Sequence, residues 1–216
     1  MGARVYVLLF CLTLVAGYAD AVAFFSLGVF TANMTGNTVL LGGAIVGFLM
    51  PPLRGSIGLA LPALSLAAFV GGAWAAARFL RREQGRPPRR TSLVLLLLAA
   101  MLAVAAGLQH WGGVSGVPLT VAVLSVVMGA QSVVAVRAGV PGVTTTFVTG
   151  TLVNSVMSLA GSPARTDALQ AEGRTNAAVW ACYLGGALIG AFALKILGTN
   201  ALWLPAAVVA LLLAVV

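Results

Sequence analysis

Gly28-Val29-Phe30-Thr31-Ala32-Asn33-Met34-Thr35-Gly36-Asn37-Thr38 precedes a run from Val39 to Met50 that is apolar but too short to cross a bilayer. Spanning ~30 Å of hydrocarbon takes ~20 apolar residues at ~1.5 Å each. The reading of residues 28–50 therefore decides the fold. They are either one crossing assembled from polar and apolar parts, or a segment that enters the membrane and returns. A second stretch poses the same question: Phe147 to Ala160 carries Thr149, Thr151, Asn154, Ser155 and Ser158, and follows Thr144-Thr145-Thr146. Apolar runs of this length suit re-entrant or half-membrane helices better than full spans.

Outward from these two stretches, six runs reach or approach spanning length: about 5–27, 56–80, 92–110, 117–137, 176–197 and 200–216. The composition agrees. The chain has 216 residues, of which 61% are hydrophobic and 7% charged, with a mean hydropathy of +1.08. A soluble domain carries roughly a quarter charged residues, so a water-soluble globule is excluded. Twelve Lys and Arg less four Asp and Glu give a net charge of +8, yet a nucleic-acid partner is not expected. The basic residues are sparse and cluster in the loop about 78–91, as in a polytopic membrane protein that is basic on its cytoplasmic side. The expected surroundings are the lipid bilayer of an inner membrane.

Arginine placement distinguishes the two topologies. With eight crossings, the better orientation puts eight Lys/Arg inside and four outside. If both short segments dip and return, Arg4, Arg78, Arg81, Arg82, Arg86, Arg89, Arg90, Arg137, Arg165 and Arg174 are all inside, leaving Arg54 and Lys195 outside. The positive-inside rule favours the second arrangement. The expected fold is an all-α membrane protein: six transmembrane helices plus two re-entrant helices, both termini cytoplasmic. The first run is read as a span, not a cleaved signal, because hydrophobicity continues through Phe24, Phe25 and Leu27. Tyr6 stands where a myristoylation signal requires Ser or Thr.

A shift of 114 residues superimposes Gly28-Val29 on Gly142-Val143, Thr31 on Thr145, Thr35-Gly36 on Thr149-Gly150, and Gly71-Gly72-Ala73 on Gly185-Gly186-Ala187. The single integral domain then divides into repeats of about 1–114 and 115–216. Each repeat holds three spans, an odd number, so the second enters from the opposite face as an inverted repeat. The loop with six arginines corresponds to one holding Lys195 alone, as loops on opposite faces should.

In this reading short helices start at about Asn37 and Thr151, and their N-termini meet near the midplane. Gly36 and Gly150 would permit the turns, with Thr35, Asn37, Thr149 and Thr151 as N-cap-type residues. Unpaired N–H groups there suit an anion or an uncharged polar solute; capping inside a packed bundle is the structural alternative. Asp20 is the sole carboxylate within an apolar span. It either couples a proton or fixes the neighbouring loop, which holds Asn33, by accepting its N–H groups. Gln131 lies at the matching depth of the second repeat. The candidate solute-binding set is thus Asp20, Asn33, Thr35, Gly36, Asn37, Gln131, Thr149, Gly150 and Thr151.

Other features read as structure. Gly43 with Gly47, and Gly186 with Gly190, are small-residue pairs for close helix packing, with a homo-oligomer as the minor alternative. His110-Trp111 suits an interfacial belt. Cys11 and Cys182 read as buried free thiols. Two cysteines and one histidine give no metal spacing, and no cofactor motif or nucleophile–base pair appears, so an enzyme is not expected.

Gly17-Tyr18-Ala19-Asp20-Ala21 with Gly28 to Asn37, and later Gly129-Ala130-Gln131 with Thr145-Thr146-Phe147-Val148-Thr149-Gly150, resemble the signature of the YoaK family of bacterial inner-membrane proteins. The resemblance covers essentially the whole chain and implies six spans but no settled activity. Ser132 stands where that family's second-half motif has Asn. The residues themselves point to a small permease or channel-like carrier for a small polar or anionic solute. The rival is a non-transporting membrane component, such as an assembly or stress-related partner protein.

Overall fold

A computed structural model describes residues 3–50, 58–81, 89–138, 148–160 and 167–213. All regular elements among them are helical: α1 (Ala3–Leu27), α2 (Met34–Leu49), α3 (Ala60–Leu80), α4 (Arg89–Trp111), α5 (Gly113–Arg137), α6 (Val148–Ala160), α7 (Asp167–Leu197) and α8 (Trp203–Leu212), with a 3-10 turn at Gly198–Asn200 before α8. Five of these, α1, α3, α4, α5 and α7, are long and apolar enough to cross a membrane, whereas α2 and α8 are shorter.

Several boundaries differ from the sequence expectation. Helix α7 begins at Asp167 rather than near 176, because a polar first turn is no obstacle where the chain leaves the apolar layer. The run expected over 200–216 begins as a helix only at Trp203, after the 3-10 turn. The arginine loop is shorter than 78–91, since α3 reaches Leu80 and α4 starts at Arg89. Arg54, Arg165 and the Thr144–Thr146 run lie outside the described residues.

Contacts fix the helix directions. Val5, Leu8, Leu80, Thr91 and Arg137 line one cavity, so the start of α1, end of α3, start of α4 and end of α5 share one end of the bundle. At the other end Gln109 donates to Ser26 Oγ at 3.0 Å, His110 meets Thr199 at 3.2 Å, and the Trp111 ring meets Trp203 edge-on. Helices α1, α4 and α7 therefore run one way, and α3, α5 and α8 the other. Residues 28–59, which contain α2, leave α1 and rejoin α3 at the same end. Residues 138–166, which contain α6, do the same at the opposite end.

Helices α1 and α5 are central, with 72% and 61% of their apolar windows buried, against 22% for both α3 and α7. The outer faces carry Val70, Trp74, Leu188 and Phe192, each more than 60% exposed. In water such a surface would drive association; against acyl chains it is simply solvated.

Close approach comes from glycine, because lipid offers no hydrophobic reward for helix association and packing must supply it. A Cβ at Gly17 would lie 2.1 Å from the Tyr183 carbonyl oxygen, and one at Gly186 would lie 2.0 Å from that of Leu14. The α3–α5 pair repeats the arrangement: Gly72 abuts the Val126 oxygen and Gly129 the Phe69 oxygen, each at 2.1 Å. In each crossing a glycine meets the carbonyl three residues before the partner glycine. Gly190 also packs against Tyr18, as expected, but Gly43 has open space, so the expected Gly43–Gly47 packing face is not a helix contact at Gly43.

Candidate functional site

Helix α1 ends at Gly28, whose φ of 79° no β-carbon would favour; its N–H closes the helix on the Ala23 and Phe24 carbonyls. The chain then turns inward over Val29 to Asn33. Irregular backbone at this depth needs every donor satisfied, and Asp20 does much of this. Asp20 is buried, and its Oδ1 accepts the N–H groups of Thr31 and Ala32, both at 2.7 Å. The Thr31 hydroxyl sits 3.4 Å from the same oxygen, and the Tyr183 hydroxyl of α7 donates to Oδ2. Of the two roles weighed for Asp20, the geometry is that of a loop anchor.

Asn33 caps α2, its Oδ1 accepting from Gly36 N–H at 3.2 Å. The helix thus starts at Met34, three residues before the expected Asn37, and neither Thr35 nor Asn37 is the cap. Thr35 is exposed. Gly36 is not at a turn requiring positive φ; instead, a Cβ there would press 2.6 Å from the Phe30 ring, which stacks on Phe24 at 4.6 Å between centroids. The positive-φ position is Gly28.

Asn37 lies one turn into α2 and is fully buried. Its Oδ1 accepts the Phe30 N–H at 2.9 Å, and its Nδ2 donates to the Phe30 carbonyl at 2.7 Å and to Ser65 Oγ at 2.8 Å. Ser65 in turn reaches the Phe30 carbonyl and Ser125 Oγ, both at 2.8 Å. One network thus fastens the loop and α2 to α3 and α5. Asn37→Leu strands the Phe30 N–H and takes one bond from the Ser65 hydroxyl, which keeps those to the Phe30 carbonyl and Ser125. At about 1–3 kcal/mol for a stranded buried polar group, a clear drop in the melting temperature of detergent-purified protein is expected.

The second half is built differently. Helix α6 starts at Val148, so Thr149, Gly150 and Thr151 occupy its first turn rather than a cap. Thr149 is exposed and Thr151 is buried. The Ser155 hydroxyl bonds to the Thr151 carbonyl at 2.7 Å and sits 3.4 Å from that of Gly173 on α7. Asn176 follows Gly173 by about one turn of α7. Asn176 is completely buried, and neither amide atom has a hydrogen-bond partner.

Gln131 donates from Nε2 to the Leu12 carbonyl at 2.7 Å, while its Oε1 lacks a partner. Gln131 is not the counterpart of Asp20. Matching the two glycine crossings aligns Gly17 with Gly129, and so Asp20 with Ser132, whose hydroxyl folds back to the Met128 carbonyl at 2.8 Å. The second half therefore has no carboxylate at that place. Helix α2 packs on α3, and α6 on α7. Asp20, Asn33, Gly36 and Asn37 belong to one hydrogen-bonded and packed assembly, which does not include Gln131, Thr149, Gly150 or Thr151.

Sequence reasoning missed Ser65, Ser125, Tyr183 and Asn176. Each is a polar side chain in an apolar helix, and Asn176 stood at the expected first residue of a span, where a polar group draws no notice.

Long lipid-facing helices, with a buried polar turn between α1 and α2, define a multi-pass α-helical membrane protein. The chain belongs to the DUF1275 family of proteins of unknown function, whose profile matches residues 8–215. It is 34% identical over 155 residues to the UPF0700 transmembrane protein YoaK of Bacillus subtilis (strain 168), a match covering 71% of this chain and 65% of that protein. The resemblance carried by the Asp20 and Thr-Gly motifs is thereby established. No solved structure matches.

Proposed function

We propose that this protein is a small permease or channel-like carrier for a small, uncharged polar solute in the bacterial inner membrane. Six spans, α8 being the last, and two re-entrant helices form two inverted repeats, with both termini cytoplasmic. The return of residues 28–59 and 138–166 to the end from which each departs supports re-entry, and the two matched glycine crossings support duplication. Antiparallel α1 and α5 support inversion: Gln131 lies against Leu12, while Ala135, one turn on, packs with Leu9, one turn back.

The observation that carries the transport reading is the Asn176 amide. A buried polar group without a partner is destabilising by about 1–3 kcal/mol, and a solute pathway gives that group a role. The solute is taken as neutral because Asp20 occupies the first turn and the unpartnered buried groups among the described residues, on Asn176, Gln131 and Gln109, are amides. No catalysis is proposed, since the buried polar groups are largely engaged with backbone.

The rival reading, a non-transporting membrane component, draws support from the first turn, which is closed on itself through Asp20 and Asn37. Swelling of proteoliposomes in gradients of urea, polyols, sugars and neutral amino acids distinguishes them. The carrier reading expects faster swelling than in protein-free vesicles for at least one solute. It further expects Asn176→Leu to abolish that flux while leaving thermal stability equal or higher, because an unsatisfied amide is replaced by an apolar group of similar size. Wild-type vesicles that swell no faster than empty ones across the panel support the rival.

A further inference from the structure

At the end of the bundle shared by α1, α3, α4 and α5, a cavity of about 370 Å³ is lined by Val5, Leu8, Leu80, Thr91, Val134 and Arg137. Arg137 is the last residue of α5 and donates to the carbonyl of Leu80, the last residue of α3. A guanidinium has five N–H donors in a planar fork, and among the described residues this bond leaves most of them open. No carboxylate lines the cavity among the described residues. Thr91 is the third residue of α4, where backbone N–H groups have no partner within the helix. Arg78 and Arg81 lie exposed at the end of α3, and Arg89 and Arg90 open α4. The surroundings are those of an oxyanion.

A second opening lies deeper on three of these helices, α3, α4 and α5. Gly72, Ala76 and Phe79 of α3, Val94 and Leu98 of α4, and Ala130 of α5 border an apolar crevice of about 210 Å³. From Phe79 to Gly72 it descends about 10 Å along α3. Leu97, Ala75 and Phe79 at its rim are exposed on the lipid-facing surface. A polar, cationic pocket at the membrane edge continued by an apolar slot matches a head group with one attached chain.

We infer that this is a binding site for an anionic phospholipid, its phosphate held by Arg137 and the first turn of α4 and one acyl chain lying in the crevice. Arg binds phosphate through paired N–H···O bonds, and basic pockets between helices on the cytoplasmic side are suited to anionic head groups. The site is separate from the Asn176 region and stands or falls without the transport reading.

Native mass spectrometry of the full-length protein, released from detergent with added phosphatidylglycerol or phosphatidylcholine, tests it. The protein should retain phosphatidylglycerol in preference to phosphatidylcholine, and Arg137→Gln should lower that retention by about fivefold or more. Ala75→Phe, at an exposed position where folding is not at issue, should lower it as well by filling the slot. Excess inorganic phosphate should not displace the lipid. Equal retention by the Arg137→Gln protein would overturn the assignment. So would displacement by inorganic phosphate with Ala75→Phe inert, which would mark a site for a free oxyanion.

Discussion

Gly186→Ala protein is expected to be lost from the folded, detergent-extractable pool, whereas Gly185→Ala protein accumulates like the wild type. The two glycines are adjacent in α7 and differ in what a methyl group meets. At Gly186 a Cβ falls 2.0 Å from the Leu14 carbonyl oxygen, and at Gly185 nothing lies within 4 Å. Overpacking a core is destabilising by about 1–3 kcal/mol where side chains can yield. Here the obstacle is backbone, so α1 and α7 must part and the effect should reach the top of that range or exceed it. Parting them also separates Tyr183 from Asp20, which spreads the damage to the inward loop. At Gly185 the change removes a helix-weakening glycine, worth about 1 kcal/mol in the favourable direction. The α3–α5 crossing gives the same contrast between Gly72→Ala and Gly71→Ala, Gly71 having open space. Fluorescence-detected size exclusion and thermal melts of the four proteins measure it.

Asp20→Leu should be as damaging, for a different reason. It strands the N–H groups of Thr31 and Ala32 and the Tyr183 hydroxyl in a buried site. At about 1–3 kcal/mol per stranded group, the sum is about 5 kcal/mol, a large part of the stability of most folded domains. Asp20→Asn should be far milder, because the amide oxygen still accepts from the loop. The milder variant also separates anchoring from proton coupling. If Asp20 anchors, Asn lowers the melting temperature modestly and flux follows the amount of folded protein. If it couples protons, Asn leaves the fold intact and abolishes flux.

The sequence made the succession of apolar helices legible and left the partners of its polar groups hidden. Run length and arginine distribution are one-dimensional quantities, and they are enough to suggest that residues 28–50 and 147–160 return to the face they leave. The inward loop was also readable, since Asp20 is a lone carboxylate near a run of Thr and Asn. What closes that loop was not. Ser65 reaches Asn37 across 28 residues, Ser125 reaches Ser65 across 60, and Tyr183 reaches Asp20 across 163, and nothing in local pattern specifies such pairings. The cap at Asn33 was misplaced because Thr35 and Asn37 are equally good capping types, and only the course of the loop selects among them. The 114-residue offset had a similar limit. It aligned the glycines of α3 and α7, but α1 and α5 are related by 112 residues, as Gly17 and Gly129 show. An offset of 112 places Asp20 on Ser132, whereas 114 would place it on Val134, and Gln131 at a similar depth fits neither offset.

The central claim is that the chain between α1 and α3 returns to the face it left. Single cysteines in a background lacking Cys11 and Cys182 test it with a membrane-impermeant maleimide applied to sealed cells and to inverted vesicles. Cysteines at Ser26, Gly58 and Val114 should react together from one side, and those at Arg4 and Arg81 from the other. Labelling of positions 26 and 58 from opposite sides would make α2 part of a crossing, and neither re-entry nor inverted repeats would survive it.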